Sequence, residues 1–218
     1  MMKAVSEPIS TSQPTAGDLE DTRQLREFLA GRNAYLDDVE TRKRELVARD
    51  LWMLCTEWYR KLAVAKGLSP ADAGGRDINL YAYGSYRLGV NGPGSDMDMM
   101  CLGPREASRD DFFESMAFCL AHCPDAKEVV AVPEARVPVI KMKFRGVEVD
   151  LVYAMLGTTQ RPGDVDLADD GIVDAMDVAS TLSANGARVT DAIMSLVPNQ
   201  ATFCDALRFI KVQRHLGD

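Results

Sequence analysis

Two aspartates separated by one residue, Asp96 and Asp98, are the side chains of this sequence best suited to chemistry. They follow a Gly84-Ser85 pair by eleven residues and lead into an apolar run. Successive side chains of a strand point to opposite faces, so both carboxylates would lie on one face. Two such carboxylates repel each other unless one is protonated or a cation lies between them. A divalent cation removes the repulsion, and Mg²⁺ is the usual ion beside phosphates.

A third carboxylate, Asp150, lies in a later segment that alternates as a strand does. Residues 147–153 place Asp150 and Glu148 on one face and apolar side chains on the other. The strand-like run 137–144 precedes them, and the Arg145-Gly146 turn between the two runs predicts an antiparallel hairpin. If the Asp150 strand lies beside the strand of the aspartate pair, three carboxylates converge. Three are enough to hold two Mg²⁺ ions for in-line displacement at phosphorus.

Each of these features also has an ordinary structural explanation. A D-x-D pair commonly marks a solvated strand edge, and a Gly-Ser pair is typical of a turn. Glu148 and Asp150 would suit the solvent-exposed face of a hairpin. Their order along the chain favours a shared site over three unrelated surface features.

Periodicity, cap residues and turn residues predict the elements that must position these groups. In chain order the predicted elements are helices 19–31 and 36–68, strands 79–83 and 97–102, a helix from a Ser108/Asp111 capping box to about 122, strand 129–132 and hairpin 137–154. Residues 161–171 indicate a loop, and 172–216 are expected to form short helices broken at Pro198. This order is typical of an α+β domain with a small mixed sheet.

The order of the Gly-Ser pair, the D-x-D pair and the later strand aspartate resembles the DNA polymerase β nucleotidyltransferase superfamily. Longer stretches resemble eukaryotic poly(A) polymerase more closely. They are residues 83–90, 92–98, 110–113, 137–141, 182–186, 188–193, 196–198 and 207–211. The resemblance extends from about Pro8 to the last residues. It implies a polymerase β-like nucleotidyltransferase domain, α+β in class, with flanking helices and the first helices of a truncated middle domain.

The reaction implied by this resemblance is adenylyl transfer, in which the 3′-hydroxyl of RNA attacks the α-phosphorus of ATP and pyrophosphate leaves. Asp96 and Asp98 would bind two Mg²⁺ ions, for which Mn²⁺ is a substitute. Asp150 would bind the ion beside the attacking oxygen and assist its deprotonation. Such chemistry depends mainly on positioning and on neutralisation of charge.

The triphosphate is expected at Gly84, Ser85 and Lys211. Glycine lets the backbone approach a ligand closely, and N–H and hydroxyl groups donate to phosphate oxygens. Lys211 alone would be an ordinary solvated helix lysine, but by resemblance it matches the lysine at the triphosphate.

Three further residues are expected at the nucleotide by resemblance alone. Tyr83 stands where the family has an aromatic residue, Gly92 lies in the turn before Asp96, and Asn185 matches the asparagine that contacts the ribose.

The sequence also departs from the family pattern. After Lys211 the family continues with a tryptophan and a second basic residue, whereas this sequence reads Val-Gln-Arg-His-Leu-Gly-Asp. The tyrosine and the Gly-Gly-Val segment of the adenine pocket have no counterpart, nor does the RNA-binding C-terminal domain. The expected organisation is a flexible arm over residues 1–18, a nucleotidyltransferase domain with preceding helices over 19–160, and the start of a truncated helical middle domain over 161–218.

The composition limits the classes of partner. The 218 residues are 46% hydrophobic and 27% charged, as in ordinary folded proteins. A net charge of −8 argues against avid nucleic-acid binding by charge alone. No apolar run approaches the length of a membrane span, so no membrane partner is expected. Five cysteines without a C-x-x-C pair predict free thiols in a reducing compartment.

The leading hypothesis is the catalytic portion of a template-independent poly(A) polymerase acting in mRNA polyadenylation. Its expected partners are ATP, the RNA 3′ end and mRNA 3′-end processing factors; its expected location is nuclear by resemblance, otherwise cytoplasmic. One alternative is another terminal nucleotidyltransferase, such as a uridylyltransferase, which stretches 137–141 and 188–191 disfavour. The other is a catalytically weak, truncated paralogue that acts as a binding module. The three aspartates argue against it, and the missing adenine pocket argues for it.

Overall fold

The computed structural model describes residues 10–75 and 77–214, which form an α+β fold around one mixed sheet. The strands are β1 (Asn79–Tyr83), β2 (Met97–Gly103), β3 (Ala126–Val132), β4 (Val139–Phe144) and β5 (Val147–Met155). Their order across the sheet is β1-β2-β5-β4-β3, with β2 and β5 parallel and the other neighbours antiparallel. The predicted mixed sheet is confirmed, and so is the adjacency of the Asp98 and Asp150 strands.

Helices flank this sheet and connect its strands. They are α1 (Ala16–Gly31), α2 (Asp38–Ala65), α3 (Pro70–Gly74), α4 (Gly84–Arg87), α5 (Arg109–Asp111), α6 (Ala117–Ala121), α7 (Asp170–Asp174), α8 (Val178–Leu196) and α9 (Gln200–Arg214). A π-helical turn, Phe112–Met116, joins α5 to α6, and Pro162–Asp164 is a 3₁₀ turn. Among the helices of the described ranges, none has the length and apolar character to cross a bilayer.

One face of the sheet packs against α2 and the π-helical turn. Val47 and Leu51 of α2 are fully buried, as their spacing on one helical stripe predicts. At the centre of this layer the rings of Phe112 and Tyr153 stack at 4.6 Å with an interplanar angle of 16°. Trp58 meets both rings edge-on, at 5.8 and 6.3 Å. These aromatic contacts fix how α2 and the π-helical turn sit on β5.

The opposite face of the sheet packs against α8. Buried side chains of β2 and β5, including Met100 and Val152, contact Ala184 and Ala187 of the helix. Small residues allow the helix axis to approach the strands closely, so α8 lies directly over the face from which Asp98 and Asp150 project.

The first helix begins earlier than the sequence predicts. Residues 1–18 were expected to be an arm without regular structure, but α1 begins at Ala16, so that expectation is wrong for the last residues of the arm. The cause is a capping box: Thr15 Oγ1 accepts from the Asp18 N–H at 3.2 Å, and Asp18 Oδ2 accepts from the Thr15 N–H at 2.7 Å. Residues 1–9 lie outside the described residues.

The helices near the carboxyl end are longer than predicted. The break at Pro198 is confirmed, but α8 has 19 residues and α9 has 15, so the prediction of short helices is wrong. Gly186 lies inside α8 without interrupting it, because burial of the apolar face of the helix outweighs the weak helix propensity of one glycine.

α1 pairs with α9, from the other end of the chain. Phe28 and Phe209 meet edge-on at 5.8 Å, and Arg26 Nε donates to Asp205 Oδ2 at 2.7 Å. Asp205 is only 6% exposed, and it also accepts from the Tyr35 hydroxyl at 3.1 Å. This buried carboxylate therefore connects two segments that were predicted to lie in different domains.

Replacing Phe112 by alanine should destabilise the fold strongly. The ring is fully buried between Trp58 and Tyr153, and its loss leaves a cavity that a close-packed layer fills only in part. We expect the free energy of unfolding to fall by about 3–5 kcal/mol in urea titrations. Phe118→Ala is the matched control, because this ring lies on the adjoining helix but is 64% exposed. A loss for Phe112→Ala no greater than that of the control would contradict the packing described.

Candidate active site

Three carboxylates converge at one end of the parallel β2–β5 pair. Asp98 and Asp150 are register neighbours on these strands, and Asp96 immediately precedes β2. One oxygen from each of the three lies within 4.8 Å of the others. The predicted convergence is confirmed: parallel pairing brings both strands' aspartates to the same face at the same level.

The electrostatics of this cluster are those of a cation site. Asp98 is half-buried, and its pKa is raised from 3.8 to about 6 by loss of solvation, then by the charges of Asp96 and Asp150. Lys141 and Lys211 act in the opposite direction on the pKa of Asp98. Hard oxygen ligands that repel one another at this separation suit a divalent metal ion. The residues present therefore fit the predicted ion.

Lys141 is the partner of Asp150 across the β4–β5 hairpin. Its Nζ donates to Asp150 Oδ2, and this hydrogen bond is the main cause of the raised pKa of Lys141. Lys141 is not among the residues predicted for the site, although the hairpin pattern contains the signal. With Arg145 and Gly146 as a two-residue turn, 144 pairs with 147 and therefore 141 pairs with 150.

Gly84 contacts Asp98 more closely than any other residue type could. Its φ is +61°, and a Cβ at this position would lie 2.4 Å from Asp98 Oδ2. The Gly84 N–H donates to Thr190 Oγ1 at 3.1 Å. That donor was expected to face the triphosphate, and here it is engaged within the protein. Ser85 follows in α4, partly buried, and its place at the triphosphate stays a prediction.

Tyr83 shares a cavity with Asp150. The cavity has a volume of about 340 Å³ and is lined by Tyr83, Val137, Val139, Asp150, Val152, Leu182, Ser183 and Gly186. Burial raises the pKa of the Tyr83 hydroxyl, and the charges of Asp98, Asp150 and Asp96 raise it further. The phenol therefore stays neutral beside the carboxylates, where its contact with a nucleotide remains a prediction.

The other two residues predicted at the nucleotide, Asn185 and Gly92, do not line the cavity that Tyr83 shares with Asp150. Asn185 is exposed and lines a different cavity, of about 590 Å³, together with Tyr81 and Arg188. The structure thus does not bring Asn185 to the cavity of Tyr83. Gly92 lies in the turn before Asp96, where its N–H donates to Ser95 Oγ at 3.0 Å.

α9 holds the segment that joins the Gly84-Ser85 turn to Asp96. Three side chains on one face of this helix donate to three consecutive carbonyl oxygens: Cys204 to Leu88 at 3.1 Å, Arg208 to Gly89, and Lys211 to Val90 at 3.2 Å. Arg208 also stacks on the Tyr35 ring, at 4.6 Å from the centroid. The charge of Lys211 acts on the pKa of Asp98, but its ammonium group is bonded to a backbone carbonyl, and its place at the triphosphate stays a prediction. No sequence pattern indicates the Arg208 contact, because its partners are distant in the chain.

The model of the family described as the poly(A) polymerase nucleotidyltransferase domain matches residues 4–197. The chain belongs to this family. Its relatives include a poly(A) polymerase of Dictyostelium discoideum, 41% identical over 95% of this chain and 26% of the relative. Poly(A) polymerase pla1 of Schizosaccharomyces pombe is 38% identical over 95% and 37%. Nuclear poly(A) polymerase 1 of Arabidopsis thaliana is 40% identical over 95% and 29%. The chain thus spans about a quarter to just over a third of the length of these relatives.

Two solved structures of terminal transferases are similar to part of the chain. A Cid1 poly(U) polymerase crystal structure with Mg and 3′-dATP bound is 23% identical, with a TM-score of 0.44 over 62% of this chain and 36% of that one. A cytoplasmic RNA terminal U-transferase is 18% identical, with a TM-score of 0.44 over 72% and 37%.

Asp98→Asn should stabilise the metal-free protein at high pH. The folded-state pKa of about 6 exceeds the ordinary 3.8, so the folded protein binds this proton more tightly than the unfolded chain does. Stability is therefore lost as the pH rises from about 4 through 6, and asparagine removes that loss. We expect a gain of about 1 kcal/mol at pH 8 in EDTA, allowing for solvent screening of a half-exposed group. The gain should shrink towards pH 4.5.

Thermal melts of the two proteins at both pH values measure this difference, with the exposed Asp174→Asn as the control for loss of a negative charge. A gain for Asp98→Asn that is the same at pH 4.5 and pH 8, or a loss at pH 8, would show that burial and the neighbouring carboxylates do not raise the pKa of Asp98 in the folded protein.

Proposed function

We propose that this chain is the catalytic portion of a template-independent poly(A) polymerase, which adds AMP from ATP to the 3′ end of mRNA and releases pyrophosphate. The observation that carries the proposal is the convergence of Asp96, Asp98 and Asp150 on adjacent strands. The names of the relatives, matched over 95% of this chain, support ATP and RNA as substrates.

The three aspartates would hold Mg²⁺, for which Mn²⁺ is a substitute. Asp96 and Asp98 would bind two ions, and Asp150 the ion beside the attacking 3′-oxygen. When bound, the ions neutralise charge on the α-phosphate and on the attacking oxygen.

The chain's own residues bind and orient the reactants around this cluster. Lys141 holds the Asp150 carboxylate in place through its ammonium group. Lys211 would exchange the Val90 carbonyl for a triphosphate oxygen, which is a stronger, charge-assisted acceptor. Tyr83 and Val152 would offer apolar surface to a ligand in the cavity beside Asp150.

The uridylyltransferase alternative differs only in the base of the nucleotide. The names of the relatives favour adenosine, whereas the cavity beside Tyr83 is lined mostly by apolar groups, which do not by themselves choose a base. The binding-module alternative is disfavoured by the complete carboxylate cluster, since a chain that only binds RNA has no need to sustain this repulsion.

We propose that the protein acts in the nucleus. An Arabidopsis thaliana relative named as a nuclear poly(A) polymerase supports it. With a net charge of −8, the chain neutralises few RNA phosphates, so we propose that mRNA 3′-end processing factors help to supply RNA affinity.

Asp150→Asn should abolish primer extension and leave the fold intact. The amide keeps the shape of the side chain but removes the charge that binds the cation and assists deprotonation of the 3′-hydroxyl. We expect the extension rate to fall by at least about 10³-fold, on the scale of removing a main electrostatic stabiliser. Single-turnover extension of a labelled RNA primer with ATP and Mg²⁺ measures this rate.

Glu148→Gln is the matched control, because Glu148 lies on the same face of β5 two residues away and is exposed. Its extension rate should stay near that of the wild type. The same assay with UTP in place of ATP distinguishes the two transferase hypotheses. An Asp150→Asn protein that extends primers at the control's rate would refute the proposed site.

ATP binding should require a divalent cation. Three carboxylates outnumber the two nearby lysines, Lys141 and Lys211, so the cluster alone repels a triphosphate. Calorimetric titration of the wild type with ATP should give measurable heat with Mg²⁺ and at least about tenfold weaker binding in EDTA. This test needs no turnover, so it applies even if the chain extends primers slowly. Equal affinity under both conditions would contradict the site as described.

A further inference from the structure

Two residues of α8, Gly186 and Thr190, face the end of β1 one helical turn apart, and neither has a role in the reaction described above. Thr190 is 4% exposed. Its Oγ1 accepts a hydrogen bond from the Gly84 N–H at 3.1 Å and donates one to the Gly186 carbonyl at 2.8 Å. A single buried hydroxyl therefore connects the helix to the first residue of the Gly84-Ser85 turn.

Gly186 places α8 directly against the ring of Tyr83. A Cβ on this glycine would lie 2.6 Å from Tyr83 Cδ2 and 2.8 Å from Cε2, distances at which something must move. The absence of a side chain lets the helix approach β1 closely enough for the Thr190 hydroxyl to reach the backbone of the next residue, Gly84.

On its other side, Gly84 lies against Asp98. The space that a Cβ would occupy at Gly84 is filled by the Asp98 carboxylate, 2.4 Å away. The Gly84 backbone is thus held between the Thr190 hydroxyl and one of the three converging carboxylates. A shift of this backbone by a few tenths of an ångström changes where the Asp98 carboxylate can lie.

We propose that Thr190, brought into reach by Gly186, is a positioning residue for the cation site. It holds Gly84 against Asp98, so that the three carboxylates remain within reach of a shared divalent ion. This inference rests on the proposed function, because it takes the carboxylate cluster to be a functional cation site.

Threonine is suited to this position by its two hydrogen-bonding roles. The bond that it donates to the Gly186 carbonyl, four residues back in the helix, fixes the hydroxyl proton and leaves a lone pair free to face the Gly84 N–H. Valine has the same shape but can make neither bond, and serine can make both. The Val and Ser variants therefore separate the hydroxyl from the bulk of the side chain.

The experiment compares Mn²⁺ binding by the wild type, Thr190→Val and Thr190→Ser, followed by electron paramagnetic resonance of the free ion at pH 7.5. Loss of a hydrogen bond that orients a metal site typically weakens metal binding about 10–100-fold, and we expect Thr190→Val to weaken Mn²⁺ binding by about tenfold or more. Thr190→Ser should bind within about twofold of the wild type, since it keeps both bonds. Amide hydrogen exchange at Gly84 should be faster in the Val variant only.

Ser180→Ala is the control for a merely structural effect. Ser180 also belongs to α8, is fully buried, and accepts from a strand N–H, that of Met155, at 2.9 Å. Met155 lies on β5 five residues beyond Asp150, a separation of about 16 Å along a strand. Ser180→Ala also removes the hydrogen bonds of Ser180 Oγ with Arg109 and Asp177, so it should lower the melting temperature but leave Mn²⁺ affinity unchanged.

Three results would overturn the inference. They are wild-type Mn²⁺ affinity in Thr190→Val, equal weakening in Thr190→Ser and Thr190→Val, and equal weakening in Ser180→Ala. If the Val variant does not fold, Thr190→Cys carries the test, because a thiol of similar size donates and accepts only weakly and should weaken binding measurably. Wild-type affinity in the Cys variant would then overturn the inference. A wild-type chain that binds no Mn²⁺ would overturn the proposed function and this inference with it.

Discussion

Three carboxylates within 4.8 Å of one another repel each other, and the surrounding structure holds them together against that repulsion. Parallel pairing of β2 and β5 fixes Asp98 beside Asp150, and a buried sheet cannot slip its register without turning apolar side chains to water. Lys141 offsets part of the charge from the neighbouring strand. Burial is the main cause of the raised pKa of Asp98, and the charges of Asp96 and Asp150 raise that pKa further.

Two helices near the carboxyl end of the chain, α8 and α9, hold in position the segment between β1 and β2 that leads to this cluster. α8 fixes the start of the segment between β1 and β2 through Thr190 and Gly84, and α9 fixes its middle through three consecutive carbonyls. α9 is in turn held by α1 through the buried Asp205. The segment leading to Asp96 therefore depends on both ends of the chain, and changes far from β2 in sequence reach the cation site through it.

Local pattern was enough to predict much of this arrangement. The alternation in residues 147–153 predicts the face on which Asp150 lies, and the Arg145-Gly146 turn predicts the hairpin. Together with the D-x-D pair, they predict that the three carboxylates converge. Each prediction depends on the two-residue period of side chains within one or two strands. The same register predicts Lys141 opposite Asp150. The contacts of Thr190, Arg208 and Asp205 could not be predicted, since they join segments about a hundred residues apart or more and depend on how helices pack. The length of α8 was also missed, because tertiary burial outweighs the propensity of its glycine.

The two lysines near the cluster offer a chain of net charge −8 a way to accept the triphosphate that we propose as its ligand. Both ammonium groups already donate hydrogen bonds, Lys141 to a carboxylate and Lys211 to a carbonyl. Neither side chain therefore has to be ordered from a freely moving state when a ligand binds. Moving the Lys211 ammonium group from the Val90 carbonyl to a nearby, more strongly accepting phosphate oxygen would cost little reorganisation, and Lys141 can stay on Asp150. Ordering a free lysine side chain would instead cost rotamer entropy. Two lysines alone still leave the cluster negative. In the proposed reaction, divalent cations and a fixed carboxylate geometry would therefore have to act together, so the contacts around Gly84 would bear on nucleotide binding without touching the nucleotide.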